Sequence, residues 1–436
     1  MNIVFNGSDQ PTLGVEIEVQ IVDEAGALAT DTAATKILAE LGDDKWFKHE
    51  LLECCVEVIT DVCPTVGAVR QDLEGKLESL IDVSERLGYR VICTGTHPFS
   101  AWADQTVSPD PRYHRLIENC QWTARRLLIF GVHTHVGVGS GEEAIAVSNS
   151  LGTFIPHFLA LSSSSPFWQG RDTGLASIRS KIFESLPTAG LPYHMDNWGQ
   201  FQRFMRTLIG AGTIRSIREV WWDIRPHPGF GTLELRICDG IPTMDELCAM
   251  VALSQSLVVW LGERYAAGLE IPLHKAWTIR ENKWRAARYG LEADIIRDEE
   301  GNLVSLRRSI SDLVERLEPV AERLGCLDDL RRINEILERG TSAVRQREVF
   351  AREQDLAKVV DALVEELRSG HPMADLEGDL VGGTVVHGSP LTGEPAGTSR
   401  SEGRGGERLP GAASYRWRPA IHIAAPRTSA SYPGGL

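Results

Sequence analysis

The sequence predicts an α+β fold built on a mainly antiparallel sheet, with a block of helices at its carboxyl end. Through the first 240 residues, strand-like and helical segments are interspersed without the regular spacing of βαβ units, which disfavours a doubly wound parallel sheet. From residue 243 to about residue 367, nearly every segment instead has the apolar periodicity of a helix. These two observations define the predicted fold class.

Each element follows from its local pattern. Strands are predicted where β-branched and apolar residues alternate or cluster between turn residues, at residues 12–22, 54–60, 89–95, 128–138, 219–224 and 232–237. Helices are predicted at 65–87, which ends before Gly88, and near 112–127. A loop is predicted at 225–231, because that segment holds two prolines and two glycines.

The overall charge points to a small-molecule partner. The 436 residues include 60 acidic and 45 basic side chains, a formal net charge of −15. Such a surface repels nucleic-acid phosphates and anionic lipid, so we expect neither nucleic acid nor membrane as a partner. The amino terminus does not resemble a signal peptide and there is no uninterrupted apolar run of about 18 residues, so a cytoplasmic location is expected. A homo-oligomer is left open.

The last part of the chain differs in composition from the rest. Between residues 381 and 436, 17 of 56 residues are glycine or proline, and six arginines accompany three glutamates. Little patterned apolar surface is available there to offset the entropy of ordering the chain. We therefore predict one catalytic domain at residues 1–370 and a disordered Gly/Pro/Arg-rich tail at residues 371–436.

Several predicted strands carry polar side chains that share one face. Residues two apart on a strand point the same way, and this holds for Glu16 with Glu18, His133 with His135, and Glu234 with Arg236. Glu57 lies inside an otherwise apolar strand, where an unpaired charge is costly. A solvated sheet face is one explanation. A shared site for Mg²⁺ or Mn²⁺ is favoured, because many carboxylates with one or two imidazoles suit these ions.

Arginines accompany these strands. Arg179, Arg225 and Arg236 lie on or beside them, and a guanidinium binds phosphate or carboxylate through paired hydrogen bonds, although each could equally be half of a structural salt bridge. The sequence contains neither a P-loop nor a dinucleotide-binding glycine motif. Any nucleotide must then be held through metal ions and arginine.

Seven motifs in order resemble one known family. They include GVHTHVG at 131–137 and GTLELRICD at 231–239. The full set lies at residues 12–18, 56–60, 95–99, 112–113, 131–137, 186–192, and 222–228 with 231–239. With these motifs the chain resembles the glutamate–cysteine ligase type 2 family, the carboxylate-amine ligases of YbdK type. The resemblance implies a glutamine-synthetase-like fold, with a curved, mainly antiparallel sheet and helices packed outside it.

The resemblance also implies roles for individual residues. It implies Mg²⁺ binding by Glu16, Glu18, Glu57, His133 and Glu234. Arg236 and Arg179 fall at positions that contact the reacting phosphate or substrate, and we add Arg225 as a catalytic candidate from its constrained loop. Glu50 and Glu53 complete the predicted substrate- and ATP-binding set.

The function implied is ATP-dependent ligation, most simply of the glutamate γ-carboxylate to the cysteine amine through an acyl phosphate. Two alternatives are a ligase for another amino acid and amine, and a metal-dependent hydrolase that uses the His133/His135 pair. A non-catalytic interaction module is disfavoured, because it has no need of so many like charges on neighbouring strands.

Overall fold

A computed structural model describes residues 3–42 and 45–373 of the chain. Its strands are β1 (Leu13–Val22), β2 (Phe47–His49), β3 (Cys55–Ile59), β4 (Arg90–Ile92), β5 (Val132–Gly137), β6 (Phe167–Trp168), β7 (Arg171–Asp172), β8 (Ala189–Gly190), β9 (Trp221–Trp222), β10 (Ile224–His227), β11 (Thr232–Leu235), β12 (Asp294–Ile296) and β13 (Leu303–Ser305).

The α-helices are α1 (Ala33–Leu41), α2 (Val66–Arg86), α3 (Pro111–Cys120), α4 (Trp122–Arg125), α5 (Gly141–Leu151), α6 (Ile155–Leu161), α7 (Arg179–Phe183), α8 (Trp198–Gly210), α9 (Met244–Ala266), α10 (Ala276–Tyr289), α11 (Leu306–Leu324), α12 (Leu327–Arg331), α13 (Ile333–Arg339), α14 (Ser342–Glu353) and α15 (Leu356–Ser369). Short 3₁₀ helices cover Trp102–Asp104, Gly152–Phe154, Ile217–Glu219 and Gly290–Glu292.

The main sheet has seven strands, all paired antiparallel, in the order β10-β11-β5-β1-β3-β2, with β4 also paired to β1. One edge of β1 pairs with β3, while the other edge pairs first with β5 and then with β4. Strand β1 is therefore the central strand of the sheet, and it pairs with three others. The predicted α+β class with a mainly antiparallel sheet is confirmed.

The two faces of the sheet differ in chemistry. Alternate residues of β1, including Val15, Ile17 and Val19, are fully buried in a core shared with helices α2 and α9. Since successive side chains of a strand point to opposite faces, the residues between them lie on the other face. Those residues are Glu16 and Glu18, so the apolar face anchors the sheet and leaves the opposite face to carry charge.

Three predicted elements differ from the structure by more than a shift of their ends. The strand predicted at 219–224 is divided between a 3₁₀ helix that ends at Glu219, strand β9 and the first residue of β10. Residues 225–227 were predicted as loop but form strand β10, and the turn covers only 228–231. Proline is tolerated there because β10 is the last strand of the sheet, where an edge strand can lack a ladder N–H donor. The helix predicted near 112–127 is interrupted at Gln121, whose φ of 47° lies in the left-handed region.

Helices dominate the carboxyl-terminal part, with one hairpin, β12–β13, that the helical periodicity did not predict. Two helical stretches, Gly141–Leu161 and Met244–Ala266, are long and apolar enough to cross a membrane, but most of each is buried inside the protein. Central helices of a protein core have the same length and composition, so this is weak evidence for a membrane span. Almost all of the tail predicted at 371–436 lies outside the described residues.

Candidate active site

Strand register brings most of the predicted residues onto one face of the sheet. Directly opposite residues of an antiparallel pair share a face, and the register places Glu18 opposite Glu57 and Glu16 opposite His133. Farther along the sheet, Glu234 lies opposite both His135 and Arg225. Side chains from five strands, β1, β3, β5, β10 and β11, therefore converge although they come from distant parts of the sequence.

Two groups on this face have the spacing of metal ligands. Ligand atoms of Glu16, Glu57 and His133 lie within 4.8 Å of one another, and so do those of Glu16, His135 and Glu234. Glu16 belongs to both groups. Its Oε2 is 3.1 Å from Nδ1 of His133, and its Oε1 is 3.6 Å from Nε2 of His135. The two predicted histidines thus lie in different groups rather than together in one.

Glu18 is held from the main chain. Its Oε2 accepts a hydrogen bond of 2.5 Å from the N–H of Gly131, the residue just before β5. A Cβ atom at position 131 would collide with the guanidinium of Arg179 and would lie 3.0 Å from the carbonyl oxygen of Cys238. Glycine is therefore required here by the close approach of the Arg179 side chain.

The arginines at the β10–β11 end of the sheet bind Glu234. Arg225 donates from Nε to Glu234 Oε2 at 2.7 Å, and its Nη1 also reaches the carbonyls of Ile217 and Val220. Arg236 donates to Glu234 Oε1 from the other side. Glu234, Arg225 and Arg236 form what we call the arginine half of the site. Arg236 is half-buried while Arg225 is buried, so Arg236 is the more accessible to a ligand.

Arg179 is buried next to the segment that follows β11. Its Nη1 donates to the carbonyl of Ile237 at 3.2 Å and lies 4.0 Å from Oδ1 of Asp239, while its Nη2 reaches the carbonyl of Arg236 at 3.4 Å. These contacts join Arg179 to the main chain that carries Arg236. The structure therefore brings Arg179 close to Glu18, where its side chain is buried rather than accessible to a ligand.

Glu50 and Glu53, predicted together, are separated by the fold. Glu50 lies 3.9 Å from Nη2 of Arg112 and close enough to Glu18 and Glu57 for its charge to act on both. Glu53 instead accepts hydrogen bonds from the main-chain N–H and the hydroxyl of Thr35, at 3.0 and 2.8 Å, in the first turn of α1. Its carboxylate thus caps a helix, and the structure does not bring it to the cluster.

Ionisation differs between the two sides of the site. Glu18, Glu50 and Glu57 form what we call the acid half, and burial raises the pKa of all three. The pKa of Glu18 rises to about 8, because burial is reinforced by the charge of Glu50. Burial also acts on Glu234, but the guanidinium groups of Arg225 and Arg236 outweigh it and lower that pKa.

The histidines are also distinguished by their neighbours. Burial and the nearby Arg236 lower the pKa of His133 to about 4, so this imidazole is neutral at pH 7 and able to bind a metal. For His135, burial is outweighed by Glu234 and Glu16, which raise its pKa. Nδ1 of His135 lies 2.9 Å from the hydroxyl of Thr232, which orients the ring.

This donor set fits a divalent cation that prefers oxygen. Nε2 of His135 is buried and has no hydrogen-bond partner among the described residues, yet it lies 3.6 Å from Glu16 and 3.9 Å from Glu234. The acid half has raised pKa values because burial outweighs the positive charges that face it. Mg²⁺ or Mn²⁺ would supply further positive charge to carboxylate and imidazole ligands of the kind these ions bind.

His135 is a candidate metal ligand that the ligase interpretation of the sequence does not include. The signal was present, because His133 and His135 are two apart on one strand and share its face. Pattern alone did not show that Glu234 lies opposite His135, which is what places this second histidine beside two carboxylates. Arg112, which faces Glu50, was likewise not proposed as a site residue.

Comparison with known proteins identifies the family. Residues 12–366 match the profile described as Glutamate-cysteine ligase family 2 (GCS2). A relative from Frankia alni, provisionally named glutamate–cysteine ligase 2-1, is 52% identical over 379 residues, covering 86% of this chain and 99% of its own. A similarly named relative from Thermobifida fusca is 49% identical over 379 residues, covering 85% and 94%.

Solved structures share the fold at low identity. A glutamate–cysteine ligase from Francisella tularensis, solved with AMP, has a TM-score of 0.63 at 13% identity, covering 84% of this chain and 90% of its own. A bifunctional glutathione synthetase from Pasteurella multocida has a TM-score of 0.59 at 13% identity, covering 83% and 52%. The predicted ligase fold and the predicted class, an ATP-dependent ligase that forms an amide bond, are confirmed. The chain belongs to the glutamate–cysteine ligase family 2.

Proposed function

We propose that this ligase joins the γ-carboxylate of glutamate to the amine of cysteine, using ATP and Mg²⁺, or Mn²⁺ in its place. The observation that carries the proposal is a pair of acid–histidine groups that share Glu16. One consists of Glu16, Glu57 and His133, and the other of Glu16, His135 and Glu234. Arg236 lies beside the second group, where it donates to Glu234. The names of the relatives from Frankia alni and Thermobifida fusca support the choice of substrates.

The proposed reaction has two steps on the substrates. An oxygen of the glutamate γ-carboxylate attacks the γ-phosphorus of ATP, and ADP leaves, giving an acyl phosphate. The amine of cysteine then attacks the acyl carbon, the amide bond forms and inorganic phosphate leaves with the loss of a proton from nitrogen. No covalent bond to the enzyme is required.

The chain's residues have distinct parts in this scheme. The metal would be held by six residues: Glu16, Glu18, Glu57, His133, Glu234 and His135. It would supply positive charge to offset that of the phosphate and carboxylate oxygens. Arg236, the more accessible of the two arginines that bind Glu234, would bind the transferring phosphoryl group. Arg225 fixes the Glu234 carboxylate between two guanidinium groups, and Arg179 supports the main chain of Arg236 from behind.

Glu50 is proposed to face the substrate beside Arg112, at the other side of the acid half. Glu53 has both carboxylate oxygens bound to Thr35, and this supports a structural role for it rather than substrate binding. A cytoplasmic location remains part of the proposal, since free glutamate, cysteine and ATP are cytoplasmic metabolites. A single catalytic domain at residues 1–370 is also proposed.

The deciding experiment is ADP release by the full chain with Mg²⁺-ATP and pairs of amino acids. We expect ADP only when Mg²⁺, glutamate and cysteine are all present, with γ-glutamylcysteine detected by mass spectrometry. Release of ADP with a different pair would replace the substrates while keeping the ligase. Hydrolysis that needs zinc and no ATP would instead support the hydrolase alternative, which the separation of His133 and His135 into two groups disfavours.

A further inference from the structure

An aromatic pair adjoins the acid–histidine groups and has no part in the reaction proposed above. Phe230 lies in the turn between β10 and β11, and its ring stacks on that of His227, with centroids 4.0 Å apart and planes inclined by 14°. Both rings meet His135 edge-on, at centroid distances of 5.7 Å for Phe230 and 5.9 Å for His227. The pair is therefore in contact with a residue of the candidate metal site.

The two rings differ in access. His227 is buried, whereas Phe230 is 60% exposed. An apolar ring left open to solvent costs free energy that burial would recover. One ring of the stack is thus part of the protein interior, and the other offers its free side to a ligand.

The turn that presents Phe230 is fixed rather than loose. Residue Asn6 donates from its main-chain N–H to the carbonyl of Pro228 at 2.9 Å and from its side chain to that of Gly229 at 3.1 Å. Gly231 has a φ of 69°, and a Cβ there would collide with the carbonyl of Asn6. This close approach requires glycine at 231 and holds the turn against the amino-terminal segment.

The geometry of the pair suits a flat aromatic ligand. The two rings are nearly parallel, so His227 covers one face of the Phe230 ring and leaves the other face to a ligand. Flat aromatic side chains of this kind bind nucleobases by stacking, whatever the base, because every base has a π face.

Resting on the proposed function, we propose that Phe230, backed by His227, is the platform on which the purine base of ATP stacks. The triphosphate would then extend from the ring past His135 toward the acid–histidine groups and Arg236. This assigns the nucleotide to the β10–β11 end of the sheet and leaves the acid half and Arg112 to the amino-acid substrate.

The test compares two ligands that share a polyphosphate but differ in the base. Isothermal titration calorimetry of the full chain measures the Kd of Mg²⁺-ATP and of Mg²⁺-tripolyphosphate for wild type, Phe230→Ala, Phe230→Leu and Phe230→Trp. Stacking predicts that Ala and Leu weaken ATP binding on the order of tenfold, that Trp restores it, and that tripolyphosphate binding changes in none of them. Trp277→Ala, which removes a 57% exposed ring from α10, is the matched control and should leave both Kd values unchanged.

Two outcomes would overturn the platform while the ligase proposal survives. Unchanged ATP affinity in Phe230→Ala would show that the base lies elsewhere. Equal weakening of ATP and tripolyphosphate would show that the ring supports the metal site rather than the base. Failure of wild type to bind Mg²⁺-ATP at all would instead remove the proposed function, and the platform with it.

Discussion

The two halves of the charged sheet face are opposite in charge balance. In the arginine half, each carboxylate oxygen of Glu234 accepts from a guanidinium group, and the pKa of this fully buried acid is lowered. In the acid half, Glu18 and Glu57 face one another across β1 and β3, and burial raises the pKa of both. The acid of one half is paired within the protein, whereas in the other half burial outweighs the positive charges nearby.

This difference indicates how the site is organised. A buried acid that is already paired is held in place, because removing either partner leaves a buried charge without compensation. Buried acids that repel one another cost stability until a cation arrives, and they persist where function requires them. The acid half is therefore the part of the site whose structure depends most on bound metal, and the arginine half is the fixed wall beside it.

The largest effect is expected on turnover. Glu57→Gln and Glu234→Gln should each lower kcat/KM for ADP release by two or more orders of magnitude, because each removes a charged ligand from one acid–histidine group. Steady-state assays with saturating Mg²⁺-ATP measure this. Near wild-type turnover in either variant would contradict the metal assignment for that half.

The same two substitutions should separate in stability. Without divalent ions, Glu234→Gln should lower the free energy of unfolding by about 3 kcal/mol, because it leaves the buried guanidinium of Arg225 without its charged partner. Glu57→Gln should raise it by roughly 1 kcal/mol, because a buried carboxyl with a raised pKa costs stability at pH 7, where the unfolded chain keeps it ionised, and glutamine carries no such cost. Urea denaturation followed by circular dichroism measures both, and shifts of the same sign would show that the halves do not differ.

The residue types on this face of the sheet are predictable from the sequence, whereas the pairing of its strands is not. Alternation along β1 predicted that Glu16 and Glu18 share a face, and the structure agrees, because their neighbours Val15, Ile17 and Val19 are buried. Pairing between strands is set by contacts far apart in sequence, so it could not be read from one segment. The division into a paired and an unpaired half therefore appeared only with the register.

Glu50 and Glu53 illustrate the same limit. Both precede Glu57 in one short segment and have the same side chain, and a shared role was a natural prediction. The chain turns between them, so Glu53 meets the amino-terminal turn of α1 while Glu50 stays with the acid half. Pro226 misled the prediction in a different way, because its missing N–H is harmless only on an edge strand, and strand order is a property of the whole sheet.

Metal binding should act mainly through the acid half. Mg²⁺ at about 100 times its Kd adds about 2.7 kcal/mol to the stability of the state that binds it, so the Tm of wild type should rise by several degrees. Glu57→Gln should show a smaller rise, since one ligand charge is gone. Differential scanning fluorimetry with and without MgCl₂ measures the change, and an equal rise with NaCl at the same ionic strength would show a general salt effect instead.

The smallest expected effect concerns Lys48, which lies opposite Glu57 in the β2–β3 pair and is exposed. It is the cation that lowers the pKa of Glu57 against the effects of burial and of Glu16. Lys48→Met should therefore tighten the apparent Kd for Mg²⁺ by about two- to threefold, the scale of one exposed charge interaction.

Lys45→Met is the matched control for Lys48, because Lys45 belongs to the same segment but lies before β2, with its amine over the ring of Trp46. It should leave the Mg²⁺ affinity unchanged in the same fluorimetric titration. Weaker Mg²⁺ binding by Lys48→Met, or a raised KM for glutamate, would show that Lys48 holds a substrate anion. In that case Lys48 would join Arg112 as a cation of the protein beside the acid half, and the contrast with the arginine half would be one of degree.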